Sequence, residues 1–303
     1  MSKVIFGSGI IGLLAREILG NNWIIVPFSR SRFFSFSPAL DDNYIVHDPK
    51  ISDFMGYLNA RPDYMYKVSY SVLGQLESYN QQICNAWLGK IFGSNAPPHA
   101  SAYMKSRTGY FVYGIQVNKL YEALQNKYKV ELEQNTKATV TKIGDHYYEM
   151  GDKRFDFEAA VSTIPINKLN ELCGISSQLE AKQVWYYHIK TPDLDFEGAN
   201  QVLDIEPNHV FYKVNNVAPR RYIFHCLQDI PIPGPYFMQF MPRFDIIDGT
   251  TIGEVIPVGP KPDTQYLKQL GVQCVGAHAE HDWCADIGSN IMTLLRLKSQ
   301  PAQ

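Results

Sequence analysis

The first 28 residues alternate between apolar blocks and small polar breaks. Lys3-Val4-Ile5-Phe6 reads as a short strand, residues 13–19 carry apolar side chains at helical spacing, and Trp23-Ile24-Ile25-Val26 is apolar throughout. A strand with no polar alternation belongs in a sheet covered on both faces. Strand, turn, helix and strand are therefore predicted, with Gly20-Asn21-Asn22 stopping the helix. Over residues 50–93, Phe54, Tyr57, Leu58, Val72, Leu76, Tyr79, Ile83, Trp87 and Ile91 recur at spacings of three and four, which predicts mostly helix. Residues 93–98 read as a turn and 117–128 as a further amphipathic helix. From Lys129 the period changes to two. Strands are expected around Glu131 and over 139–143, 147–150 and 155–157, broken at Gly144-Asp145 and Gly151-Asp152, which are hairpin signals. An apolar strand over 159–164 ends at Pro165. Residues 181–258 are strand-like and punctuated by proline, as in an antiparallel sheet. A strand over 272–275, stopped by Gly276, and a helix over 286–297 close the pattern. The class is α/β.

Composition narrows the chemistry. The formal net charge is −2 and there is no long basic run, so phosphate-driven nucleic-acid binding is not expected. The five cysteines (84, 173, 226, 274 and 284) show no C-x-x-C spacing, so no metal site is expected and reduced thiols in a cytoplasmic protein are the simplest reading. No apolar run is long enough for a transmembrane helix, and residues 1–6 lack the form of a signal peptide. Aromatic residues reach 13%, which suits a planar ligand site but is met equally by an aromatic core.

The most informative local motif is Gly7-Ser8-Gly9-Ile10-Ile11-Gly12, placed between a predicted strand and a predicted helix. In a dinucleotide-binding turn the first glycine makes the turn, the second admits a pyrophosphate close to the backbone, and the third lets the helix approach the strand. The amides at the helix start then face the phosphates. The acid expected after the second strand is absent from Val26-Pro27-Phe28-Ser29-Arg30. Arg30 there is compatible with a 2′-phosphate, hence NADP, or with the pyrophosphate of FAD.

With these motifs the chain resembles the flavin amine-oxidase superfamily, in particular its UDP-galactopyranose mutase and protoporphyrinogen-oxidase-like branches. The glycine turn is one part of the resemblance. Ser29, Arg30 and Arg32 are similar to the segment that follows the second strand, with Phe28 in place of the family's acid. Residues 42–48 and 53–59 are similar to a mutase segment lining the flavin, which puts Tyr44 and His47 at its two His positions. Residues 138–143 and 161–165 resemble the family's meander and return strand, with Val140 at the position that contacts adenine. Gly276, Asp286 and Ile287 fall in a stretch similar to the last FAD motif, where Ala277 stands in place of an arginine. The resemblance implies a discontinuous Rossmann-type FAD-binding domain (1–60, 100–172 and 262–303). It also implies a smaller substrate domain of mixed helices and antiparallel sheet (61–99 and 173–261). FAD is the implied cofactor.

The expected activity is that of an FAD-dependent oxidoreductase of the amine-oxidase type, working at a carbon bearing nitrogen. The alternatives are a redox-neutral flavoenzyme on a nucleotide-linked sugar, a flavin-dependent C–N lyase on a large substrate such as a modified nucleic-acid base, and a non-catalytic NADP-binding module. Tyr44 and His47 are candidates for the flavin face. Arg221, with Arg220, suits a diphosphate or carboxylate through its bidentate fork. Tyr236, with Phe237 and Phe240, reads either as an aromatic wall over the flavin or as sheet packing. The partner is a small-molecule or nucleotide-linked substrate, and the oligomeric state is left open.

Overall fold

The computed structural model describes residues 2–27, 44–46, 51, 53–54, 56, 58, 64–65, 67–72, 74–108, 112–114, 117–135, 139–177 and 179–300. The chain divides into two compact units, one of Met1–Ser35, Asn118–Glu180 and Pro260–Gln303, the other of Phe36–Val117 and Ala181–Gly259. The second unit is the larger of the two. Strand Tyr44–Val46 and helix Ala100–Thr108, both expected in the FAD-binding domain, group with the second unit.

The first unit is built on a parallel sheet that runs into a meander. Strands Trp23–Val26, Ser2–Phe6, Lys153–Ser162 and Val272–Cys274 lie side by side and parallel. Val4, Ile5, Phe6, Ile25, Val26, Ala160 and Val161 are all buried, which is why these strands carry no polar alternation. Lys153–Ser162 is one continuous strand, not the two expected over 155–157 and 159–164. Its first half pairs antiparallel with Tyr147–Met150, which pairs in turn with Val140–Gly144. Its second half is held between Ser2–Phe6 and Val272–Cys274. The polar residues of the first half face solvent in the meander, and that change of pattern reads as a strand boundary. Helices Ile10–Leu19 and Ile287–Ser299 pack together through apolar stripes that bury Leu13, Leu14, Ile18, Ile291 and Leu294.

The strand expected around Glu131 is the last part of helix Val117–Asn135. The edge of the sheet at Trp23–Val26 is closed by side chains of that helix instead. The Ile25 amide donates to Glu131 Oε1 at 2.8 Å, and Asn135 Nδ2 donates to the Ile25 carbonyl at 2.7 Å. Glu131 also binds Arg16 Nε at 3.1 Å, which ties the same carboxylate to helix Ile10–Leu19. From the same helix the buried Glu17 carboxylate accepts from Tyr128 Oη at 2.5 Å and from Lys127 Nζ at 2.7 Å.

The second unit holds a seven-stranded sheet in the order Asp245–Pro257, Ala181–Lys190, Arg221–Cys226, Phe211–Ala218, Gln201–Asp204, Val68–Val72 and Gln75–Glu77. All neighbours are antiparallel except Gln201–Asp204 with Val68–Val72. The helix expected over 50–93 is borne out at the described residues 51, 53–54 and 56 and over Gln81–Phe92, which Asn80 caps through the Gln82 amide at 2.8 Å. Tyr64–Met65, Val68–Val72 and Gln75–Glu77, however, are strands. Val68, Ser69 and Tyr70 are buried in succession in an inner strand, and such a strand has no period to set it apart from a helix. Trp87 Nε1 donates to the Tyr212 carbonyl at 2.7 Å and fixes the helix to the sheet. A three-stranded sheet joins Tyr44–Val46, Val112–Gly114 and Tyr64–Met65.

Candidate functional site

Two of the three glycines of the first turn, Gly7 and Gly12, are required by the fold, each for a different reason. Gly7 has φ +111°, and a Cβ there would meet Thr163 Oγ1 at 2.4 Å. Its amide donates to the Val26 carbonyl at 3.0 Å, so the turn is closed across both strands. A Cβ on Gly12 would lie 2.2 Å from the Gly7 carbonyl oxygen, so helix Ile10–Leu19 sits as close to the turn as a backbone can. Gly9 differs from both. It has φ −69° and ψ 179°, a conformation open to any residue, and a Cβ there would meet no described residue within 4 Å. Among the described residues nothing demands glycine at this position. Gly9 is also the N-cap of the helix and offers no side chain to its amides. An unobstructed surface over uncapped amides is what an approaching phosphate needs.

The C-terminal motif converges on this turn. Gly276, with φ +113°, is placed so that a Cβ would lie 3.7 Å from Ile11 Cγ2. Its amide meets Glu280 Oε1 at 3.3 Å, and Glu280 is ion-paired with Lys261. Glu280 thus braces the turn. The Nε2 atom of His278, in the helical turn Ala277–Glu280, is buried and has no hydrogen-bond partner among the described residues. Asp286 caps helix Ile287–Ser299, accepting from the Ser289 amide at 2.7 Å. Ser8, Ile10, Ile11 and Gly276 are therefore gathered with the three glycines. Ile287 begins the helix that packs on Ile10–Leu19. Val140 is buried in the core cluster that includes Phe6 and Val26, and its strand is irregular just after it. The open surface at Gly9 and the uncapped amides fit a dinucleotide pyrophosphate. Thr163, whose hydroxyl donates to the Phe6 carbonyl at 3.2 Å, completes the turn and went unnoticed in the sequence.

Ser29, Arg30, Arg32 and His47 lie outside the described residues. Tyr44 pairs in register with Gly114. Arg221 is exposed at the start of its strand, opposite Lys190, and Arg220 occupies the preceding turn with φ +61°. Tyr236 lies in the short helix Pro233–Met238, not in a sheet. Its hydroxyl accepts from the Val210 amide at 2.9 Å, and its ring packs on Phe237 and Phe240 at 5.4 and 5.2 Å. Burial pushes the Tyr236 phenol above its ordinary range.

A buried polar group in the second unit carries no sequence signal. Lys90 Nζ donates to Asp204 Oδ2 at 2.6 Å and to the Phe211 carbonyl at 2.7 Å. His209 Nδ1 lies 3.1 Å from both carboxylate oxygens of Asp204. Burial lowers the pKa of Lys90, against the opposing pull of Asp204.

No protein-family model matches the chain, and no curated protein is similar to it in sequence. Solved structures are similar in fold. A reduced UDP-galactopyranose mutase aligns at TM-score 0.67 and 10% identity, covering 98% of this chain and 94% of that one. A putrescine oxidase bound to putrescine aligns at TM-score 0.55 and 12% identity, covering 98% of each chain. Glycine oxidase from Bacillus cereus aligns at TM-score 0.54 and 11% identity, covering 99% of this chain and 96% of that one. The likeness runs through both units, and the chain has the Rossmann-type α/β fold shared by the mutase and the two oxidases.

Proposed function

We propose that the chain is an FAD-dependent oxidoreductase acting on a small molecule at a carbon bearing nitrogen. The observation that carries the reading is the open surface at Gly9 over an uncapped helix start, in a fold shared with an amine oxidase and an amino-acid oxidase. Ser8, Gly9, Ile10 and Ile11 would hold the pyrophosphate through backbone amides. Ser29, Arg30, Arg32, Val140, Gly276, Asp286 and Ile287 complete the proposed cofactor set, and Tyr44, His47, Arg221 and Tyr236 the proposed substrate set. When bound, the flavin supplies the hydride-accepting chemistry. The chain's own work is to bind and orient it. Gly7 and Gly12 set the turn, and Glu280 holds Gly276 in place.

The TM-score of 0.67 to the mutase favours a second reading, a redox-neutral flavoenzyme on a nucleotide-linked sugar. The test of the first reading is the visible absorption spectrum of the purified chain, followed by mass analysis of the cofactor released on denaturation. Flavin bands that bleach anaerobically on adding an amine support it. A colourless chain that takes up no added FAD overturns both readings. FAD-loaded protein that no amine reduces, yet binds a nucleoside diphosphate, supports the second.

A further inference from the structure

We propose that His278 Nε2 donates a hydrogen bond to the pyrophosphate of the bound dinucleotide, a contact outside the cofactor set given above. The inference rests on the reading of the chain as an FAD protein and adds one side chain to that same site. The glycine turn, residues 276–280 and Lys261 all belong to the first unit. Strands Ser2–Phe6 and Val272–Cys274 flank Lys153–Ser162 and run parallel to it. The chain after Cys274 therefore emerges at the same end of the sheet as the glycine turn, the end at which such sheets take dinucleotides. Gly276 lies against Ile11, where a Cβ would meet Ile11 Cγ2 at 3.7 Å. Ile11 is in the first turn of helix Ile10–Leu19, which has no side-chain cap. His278 follows Gly276 by two residues.

The residues on either side hold His278 in place. Ala279 is fully buried in the core cluster that includes Phe6 and Cys274. Glu280 turns back onto the Gly276 amide at 3.3 Å and is ion-paired with Lys261. Side chains of a helical turn lean toward its N-terminal end, which leans His278 toward Gly276. The residue is half-buried, yet Nε2 itself is buried and has no hydrogen-bond partner among the described residues. A buried polar atom without a partner is unfavourable, and folded proteins keep few of them. This one belongs to the turn that abuts the uncapped start of Ile10–Leu19, so the anion those amides receive supplies its partner too. Phosphate oxygens accept hydrogen bonds, which puts the proton of the bond on Nε2.

The experiment uses the full chain freed of any bound nucleotide, with FAD and ADP as probes. His278→Leu keeps a similar volume and removes both ring nitrogens. Without ligand it is expected to melt no lower than the parent, since no hydrogen bond of Nε2 is lost. In calorimetric titration it is expected to bind both FAD and ADP about tenfold more weakly, or worse. His278→Gln places an N–H at the reach of Nε2 and is expected to recover most of that loss. His278→Asn, whose N–H falls at the position of Nδ1, is expected to recover little. Unchanged FAD binding in His278→Leu, weakened FAD binding with unchanged ADP binding, or a glutamine no better than asparagine would each overturn the proposal and leave the FAD reading standing. A ligand-free melt of His278→Leu well below the parent would assign the ring to the fold and overturn it as well. A parent chain that binds neither FAD nor ADP would overturn both the proposal and the reading beneath it.

Discussion

Replacing Gly9 and Gly12 by alanine, one at a time, separates what the fold requires from what a ligand requires. At Gly12 the new methyl would lie 2.2 Å from the Gly7 carbonyl oxygen, about 1 Å inside van der Waals contact, and both partners are backbone. Overpacking of this kind costs about 1–3 kcal/mol. At roughly 2–4 °C per kcal/mol for a chain of this general size, Tm falls by about 2–12 °C. At Gly9 the methyl meets no described residue within 4 Å, and φ −69° suits alanine. Alanine is a poorer N-cap than glycine by about 0.5–1 kcal/mol, and the stiffer unfolded chain returns about 0.4–1 kcal/mol. Stability therefore stays within about 0.5 kcal/mol of the parent. The same methyl stands where a phosphate must approach. Losing even one amide–phosphate hydrogen bond, worth about 1.5–3 kcal/mol, weakens FAD binding by about tenfold or more. Thermal melts of the apoprotein, and FAD titration followed by flavin fluorescence, read the two effects apart. Gly9→Ala that melts and binds FAD like the parent would refute the assignment of Gly9 to a ligand. Gly9→Ala as unstable as Gly12→Ala would refute the claim that the fold leaves that space open.

Other outcomes follow from the same reasoning. Burial opposes ionisation of Glu17, but its hydrogen bonds from Lys127 and Tyr128 outweigh this and hold its pKa below the ordinary 4.5. A depressed carboxylate pKa stabilises above the ordinary value and loses that stabilisation as pH falls through the folded value. Tyr128→Phe should therefore lower stability at pH 7 by about 1–2 kcal/mol and flatten the acid limb of a denaturant-midpoint profile. Asp204→Ala leaves the Lys90 ammonium buried without its partner, so urea unfolding should show a loss of about 3–5 kcal/mol, partly restored by adding Lys90→Met. Tyr236→Phe removes the acceptor for the Val210 amide, and chemical denaturation should report a loss of about 1 kcal/mol.

The glycine turn was legible because its two strands, its glycines and its helix lie within 26 residues of sequence, whereas Thr163, which completes it from a distant strand, was not. The meander was legible because Gly144-Asp145 and Gly151-Asp152 interrupt a clean period of two. Residues 64–77 were not, because Val68 to Tyr70 are buried in succession and leave no alternation to read. The end of helix Val117–Asn135 was misread because Val130-Glu131-Leu132 alternates like a strand. In the structure Val130 is exposed and Leu132 is buried, an ordinary outcome on a helix. Lys90 and Asp204 are 114 residues apart, and no local pattern announces a partner at that distance. Tyr236 was singled out for its aromatic neighbours, but its hydroxyl is engaged by a backbone amide that only the folded loop supplies.

The Glu131 and Asn135 side chains on Ile25 bear on how this chain behaves in a crowd. A sheet margin with bare amides and carbonyls is adhesive, and any extended segment can add itself as the next row. Here the middle of that margin is occupied by two side chains whose helix must peel away before a foreign segment can dock. The rate of self-association should then follow the fraying of the C-terminal turns of Val117–Asn135, a local event far cheaper than unfolding the unit. Shelf life and melting temperature should accordingly come apart in variants of Glu131 or Asn135, with clumping accelerated well before the melt moves.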